Sequence, residues 1–155
     1  MKEGSVGAFL EICNNPFKMV FVHEDDTIAE VLKKMLKYEE ERLVCVLDAK
    51  ERLKGVISVG KLIRHLFNEE ITPENGFTPS ANILHYLTAE CAKDIMDTDV
   101  VSCTMDESLE SAKAKMLSKR TKKIIPVVDE QMHVINVLNI VSLMELKLNS
   151  EECSS

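Results

Sequence analysis

Apolar positions recur along this chain with two different periods, and each change of period marks an element. Val6, Phe9, Leu10 and Cys13 fall at spacings of three and four, which predicts a short amphipathic helix ended by Asn14-Asn15-Pro16. Lys18 to Val22 reads as a short strand, and His23-Glu24-Asp25-Asp26 as the polar turn after it. Thr27 and Glu30 have the spacing of a capping box, and Ile28, Val31, Leu32, Met35 and Leu36 then form one helical stripe. Leu43 to Leu47 is a continuous apolar run between Arg42 and Asp48, the pattern of a strand covered on both faces. After the turn Ala49-Lys50-Glu51 comes a strand over Leu53 to Ser58, and Leu62, Ile63 and Leu66 mark a further helix. The order is strand, helix, strand, strand, helix.

That order recurs. Residues 19–66 laid over 100–147 without a gap match Val20 to Val101, Asp25 to Asp106, Lys34-Met35-Leu36 to Lys115-Met116-Leu117, Val46 to Val127, Asp48 to Asp129, Val56 to Val137 and Leu62 to Leu143, all 81 positions apart. Val100 to Cys103 is the expected short strand of the second unit. Ser108 opens a helix with Leu109, Ala112, Met116 and Leu117 inward, Ile124 to Val128 and Val134 to Leu138 are strands, and Val141, Leu143, Met144 and Leu146 stripe the last helix. The Met35/Met116 and Leu36/Leu117 pairs sit at core spacing and read as packing residues. Residues 67–90 carry Pro73, Pro79 and Asn75-Gly76, with one helical turn suggested by Ile83, Leu84 and Leu87. The division expected is a first unit with its lead-in helix over 1–68, a connector over 69–90, a second unit over 91–148 and a flexible tail over 149–155.

Composition narrows the class. At 155 residues the chain buries roughly two-thirds of its unfolded surface without staples. With 45% hydrophobic residues and no Trp, the core is aliphatic, as suits an α/β (α+β) protein. The net charge of −7, with acidic runs at Glu39-Glu40-Glu41, Glu69-Glu70 and Glu151-Glu152, repels a phosphate backbone and speaks against nucleic acid as a partner. A single mononucleotide is compatible with that charge, because its phosphates can rest on backbone N–H groups at a helix start. Five cysteines, an odd number without a CxxC, read as reduced thiols of a cytoplasmic protein. No apolar run approaches the roughly 20 residues that span a bilayer, so no membrane segment is expected.

Motifs of catalysis are missing. The chain has neither GxxxxGK[ST] nor GxGxxG, and no elbow or thiol signature for nucleophilic catalysis, so no enzyme is expected. His23, His65, His85 and His133 lack metal-ligand spacing with the cysteines. His23 is a candidate pocket residue because it follows the first strand. Cys103 reads either as a cleft-lining thiol or as a core thiol.

The tandem units, with Asp94-Ile95-Met96, Val100-Val101, Asp106, Ser108-Leu109 and Ile125-Pro126-Val127-Val128-Asp129 in that order, resemble a pair of cystathionine-β-synthase (CBS) domains, a Bateman module. The likeness covers about residues 4–147; the first unit is the more diverged, with Cys45 where the second has Pro126. It implies two β-α-β-β-α units packed about a pseudo-two-fold axis, with interdomain clefts that bind adenine nucleotides or related ligands, and a disc-like homodimer. The family's nucleotide signal is Gly-h-h-Ser/Thr-x-x-Asp at the end of the last strand, the hydroxyl near phosphate and the Asp on the ribose. Here the two runs are Gly55-Val56-Ile57-Ser58-Val59-Gly60-Lys61 and Asn136-Val137-Leu138-Asn139-Ile140-Val141-Ser142. Ser58 and Asn139 fill the hydroxyl position as good N-caps. Lys61 and Ser142 stand where the Asp belongs, and a lysine cannot accept hydrogen bonds from a ribose diol.

The resemblance therefore implies a non-catalytic regulatory, ligand-sensing module. The candidate binding residues are Val20, Val22, Val44, Ser58 and Lys61 in one cleft and Val101, Thr104, Ile125, Pro126, Asn139 and Ser142 in the other. AMP, ADP, ATP and S-adenosylmethionine are the candidate ligands, and an effector protein on a separate chain is the expected output. The alternative is a ligand-free module with degenerate clefts that serves dimerisation or protein interaction.

Overall fold

The computed structural model describes residues 4–13, 19–37, 43–67, 71–72, 76–77, 90–118 and 122–153. The helical turn expected around Ile83 to Leu87, and the Asn14-Asn15-Pro16 stop, lie outside the described residues. The fold is mixed α and β, and its backbone divides into two compact units, residues 19–100 and residues 1–18 with 101–155.

In the unit of residues 19–100, strand β1 (Met19–His23) pairs in parallel with β2 (Leu43–Leu47), and β2 pairs antiparallel with β3 (Leu53–Ile57). Helix α2 (Ile28–Met35) makes the crossover between the parallel strands. Its start is fixed by sequence: the Thr27 hydroxyl accepts from the Glu30 N–H at 3.2 Å and the Glu30 carboxylate accepts from the Thr27 N–H at 2.9 Å. Helix α3 (Val59–Phe67) follows β3 after one residue. Val20, Val22, Val44, Val46 and Ile57 from the sheet bury against Ile28, Val31, Leu62 and Leu66 from the helices. A hairpin of two-residue strands, β4 (Ile71–Thr72) and β5 (Gly76–Phe77), lies in the expected connector.

In the other unit, α5 (Leu109–Leu117), capped by the Ser108 hydroxyl, precedes the antiparallel pair β6 (Ile124–Val128) and β7 (Val134–Asn139). The repeat governs pairing in detail. Val44 faces Ile57 and Ile125 faces Leu138, Val46 faces Gly55 and Val127 faces Asn136, and both ladders slip after that last pair. The expected strand over Val100 to Cys103 shrinks to one parallel bridge between Cys103 and Val127, the counterpart of Val22 with Val46.

The lead-in helices are exchanged between the repeats. Helix α1 (Val6–Ile12) gives Val6 and Phe9 to the core of Cys103, Ala112, Met116, Ile125, Val127, Leu138 and Leu143. Helix α4 (Ala92–Ile95), at the head of the second repeat, gives Ala92 and Ile95 to the core of the first. Matching backbone bonds seat the two: Val6 and Gly7 donate to the carbonyls of Glu107 and Met105 at 2.9 Å each, and Ala92 and Lys93 donate to those of Asp26 and Glu24 at 2.8 and 3.1 Å. The repeats of the sequence and the compact units of the structure are thus different divisions of the chain.

After α4 the chain lies along the outer edge of β3, where Val56 and Asp97 exchange N–H···O bonds of 3.0 and 2.8 Å. Gly55 permits this approach, since a Cβ there would sit 2.6 Å from the Met96 sulfur and 2.9 Å from the Asp97 carbonyl oxygen. A pair of lysines is also repeated. The Lys34 ammonium donates to the Phe21 carbonyl and that of Lys115 to the Ser102 carbonyl, both at 3.2 Å.

Three readings need correction. Leu36 and Leu117 are 81% and 59% exposed, because each falls at the end of its helix, past the turn that faces the core, whereas Met116 is fully buried. Val141 and Met144 belong to the outer face of the last helix, and Leu143 alone of the four stripe residues is buried. The tail expected from residue 149 is helical through Cys153, within α6 (Ile140–Cys153), since no Gly or Pro interrupts residues 140–153.

Candidate ligand-binding site

In each unit the antiparallel hairpin feeds directly into a helix, and the residue at the junction caps it. The Ser58 hydroxyl accepts from the Lys61 N–H at 3.0 Å, so it satisfies one of the orphan donors at the start of α3. The Asn139 side-chain oxygen accepts from the Val141 N–H at 2.9 Å at the start of α6. Ser58 is exposed and Asn139 half-buried. Gly60 leaves the first turn of α3 open, with nothing but the Ser58 hydroxyl near the place of a Cβ. Such a turn, with N–H groups outward, suits an anionic group.

The structure gathers some of the candidate residues and separates others. Val44 pairs with both Val20 and Ile57, which brings β1, β2 and Ser58 to one end of the sheet, with Lys61 one turn away, half-buried. Val20, Val22 and Val44 turn their side chains into the core, so only their backbone is available to a ligand. In the other unit Asn139 pairs with Ile124, beside Ile125 and Pro126, and the half-buried Val101 packs on the same core. Ile125 is a core side chain, and Ser142 is 4% exposed, one turn into α6. Thr104 does not join this group. The Cys103 bridge puts it beyond Val127, at the far end of β6 from Asn139. Cys103 is a core thiol, and burial pushes its pKa up to about 12, as it does for Cys45.

The opposite end of the first sheet carries a feature that the sequence marked only through His23. Because β1 and β2 are parallel, both end there, and the turns that follow them diverge around a depression of about 490 Å³. His23, Glu24, Asp25, Asp48, Lys50 and Arg52 line it, together with Leu47. Most of its charges are already engaged. Asp48 accepts from the N–H groups of Lys50 and Arg52 at 2.8 and 2.9 Å and from the Arg52 Nε at 2.8 Å. These bonds, the Arg52 N–H above all, hold the Asp48 carboxyl below its ordinary pKa. His23 Nε2 lies 2.6 Å from Glu51, and the Lys93 ammonium 3.0 Å from Asp25.

The second repeat has the same turn: Asp129 accepts from the N–H groups of Gln131 and His133, which lowers its pKa, and Met132 takes the positive φ that Glu51 has in the first. Among the described residues, no three His, Cys, Asp or Glu side chains group as a metal site requires, and no helix is long and apolar enough to cross a membrane.

Comparison with known proteins agrees with the repeat. The family model described as CBS domain matches twice, at residues 11–68 and 92–149. No curated relative matches the chain. Among solved structures, the cytosolic domain of the Mg2+ channel MgtE in complex with ATP is 24% identical with a TM-score of 0.61, over 83% of this chain and 44% of that one. The soluble part of a magnesium transporter is 16% identical with a TM-score of 0.67, over 96% and 49%. A CBS-domain-containing protein from Agrobacterium tumefaciens is 17% identical with a TM-score of 0.66, over 92% and 98%. The chain spans less than half the length of the first two. At these identities the likeness is one of fold.

Proposed function

We propose, from the premise that this chain belongs to the CBS-domain family, that it is a non-catalytic regulatory module that binds an adenine nucleotide or a related ligand at the strand-to-helix junctions. The observation that carries this reading is the twin capped junction, Ser58 at the start of α3 and Asn139 at the start of α6. At the first junction phosphate rests on first-turn N–H groups of α3 and the backbone of the strands beside Val20 and Val44 bonds the base, whereas at the second the Ile140 and Val141 N–H groups are already held by the Lys123 carbonyl and the Asn139 side chain. The ATP complex of the structurally similar MgtE domain supports a nucleotide as the ligand class. The first junction is the more accessible one, with Ser58 exposed and Lys61 available as a donor to phosphate, whereas Ser142 is buried. A ligand shifts the module between states only in proportion to its difference in affinity for them.

A second reading rests on the apolar surface of the two junction helices. Ile63 on α3 and Val141, Met144 and Leu148 on α6 are each more than half exposed, and Ile63 and Met144 occupy matching positions in the repeats. Together with the missing ribose acids, this favours a module whose main work is to join a second copy of itself.

Calorimetric titration with AMP, ADP, ATP and S-adenosylmethionine separates the two. A binding isotherm that Ser58→Ala or Asn139→Ala weakens about tenfold or more supports the sensor and says which junction is used. Lys61→Asp, which restores the ribose acceptor, is expected to raise affinity for adenosine ligands. A flat response to all four, with a dimer that Ile63→Glu or Met144→Glu dissociates, leaves the association module as the function.

A further inference from the structure

The depression beyond β1 and β2 is not the junction site. Ile57, next to Ser58, pairs with Val44, and the depression begins past Leu47, three strand residues or roughly 10 Å further along the sheet. It lies outside the carboxyl ends of two parallel strands joined by a helical crossover. Its volume of about 490 Å³ is within the usual range of ligand sites.

The charges in it decide what fits. The Asp48–Arg52, His23–Glu51 and Asp25–Lys93 pairs are closed. Glu24 and Lys50, one on each turn, have no side-chain partner among the described residues, and Arg52 uses its Nε on Asp48, which leaves its two terminal nitrogens for a ligand. The lining thus offers cationic donors on one turn and a carboxylate on the other. Carboxylates outnumber cations around it, since Glu24, Asp25 and Asp48 stand against Lys50 and Arg52, and that balance disfavours a polyphosphate. A small molecule bearing one charge of each sign satisfies both turns.

We propose that this depression binds a free amino acid, its carboxylate on Lys50 and Arg52, its ammonium on Glu24, and its side chain toward Leu47. The backbone holds the two turns in register for this, because the Glu24 N–H donates to the Leu47 carbonyl at 3.0 Å and the Glu24 carbonyl accepts from Lys93. Lys50 and Arg52 are exposed and Glu24 is half-buried outside the core, so changing them leaves the core intact.

The test is calorimetric titration of the full chain with the standard free amino acids, repeated with Glu24→Gln and Lys50→Gln. The expected result is one or a few amino acids that bind, each variant weakening them about tenfold through loss of a charge-assisted bond, and no binding of the same amino acid with its amine acetylated or its carboxyl amidated. Ser58→Ala is expected to leave this binding unchanged, which separates it from the junction site. Absence of binding by every amino acid, or binding that both variants and the blocked forms leave unaltered, overturns the proposal.

Discussion

The exchange of lead-in helices is open to a direct test with Phe9→Ala. Phe9 is 4% exposed and lies against the core of residues 103–143, whereas in sequence it heads the first repeat. Burying an aromatic side chain removes on the order of 150–250 Å² from water, which at about 25 cal/mol per Å² is about 4–6 kcal/mol as an upper bound. Truncations of this kind measure about 3–5 kcal/mol. The lower part of that range is expected here, because the backbone bonds from Val6 and Gly7 and from Leu109 to the Gly4 carbonyl do not depend on the ring and keep α1 in place.

Amide hydrogen exchange read by mass spectrometry locates the loss. Protection is expected to fall in β6 and β7 while β1 and β2 keep theirs. Ile95→Ala in α4, at about 2–5 kcal/mol, is expected to do the reverse. Loss of protection in the first repeat from Phe9→Ala, or an equal loss in both units from each variant, would refute the exchanged division of the cores.

Gly55→Ala forces a methyl group against Met96 and the Asp97 carbonyl and is expected to cost about 2–4 kcal/mol in urea unfolding, from overpacking and weakened bonds to Asp97; Asn136→Ala, at the matching position, is expected to cost under about 1 kcal/mol. The Asp48 and Asp129 carboxyls have folded pKa values below the ordinary 3.8, so their contribution is complete above that value and is lost as pH falls through the depressed folded values. Urea midpoints measured from about pH 5 down to about pH 2 are expected to fall, and to fall less steeply in Asp48→Asn, where the titrating group is gone. Iodoacetamide at neutral pH is expected to modify the partly exposed Cys13 and Cys91 well ahead of Cys45 and Cys103, which are buried with pKa values of about 12; early labelling of Cys45 in the native chain would contradict its place in the sheet.

Reading the sequence was most reliable where the repeat and local chemistry agreed. The 81-residue offset carried over to the strand register, to the Asp48 and Asp129 turns and to both lysine contacts, because identical local geometry follows from matched side chains. The capping box at Thr27 and the caps at Ser58 and Asn139 were legible for the same reason: each acts within three residues of itself. Exchange of α1 and α4 was not, since Val6 matches Ala92 at an offset of 86 rather than 81, and nothing local records which core a helix joins. Periodicity assigned Leu36 and Leu117 to the core because it cannot tell the last residue of a buried stripe from the first one past it. The family resemblance puts Val20, Val22 and Val44 at a site, and an apolar strand residue looks the same in sequence whether it faces a ligand or a core. The depression past Leu47 left almost no trace, being made by two turns that are distant in sequence.

The lysines that reach back to Phe21 and Ser102 bear on how copies of this chain are kept apart. β1 is an outer strand of its sheet, and an outer strand with free carbonyls is a template onto which a stray segment can add itself. The Lys34 ammonium occupies one backbone acceptor of β1, and burying that charge beneath another chain is costly. The same device recurs at Lys115 and Ser102, so each half of the chain withdraws one backbone acceptor from a segment that would add there.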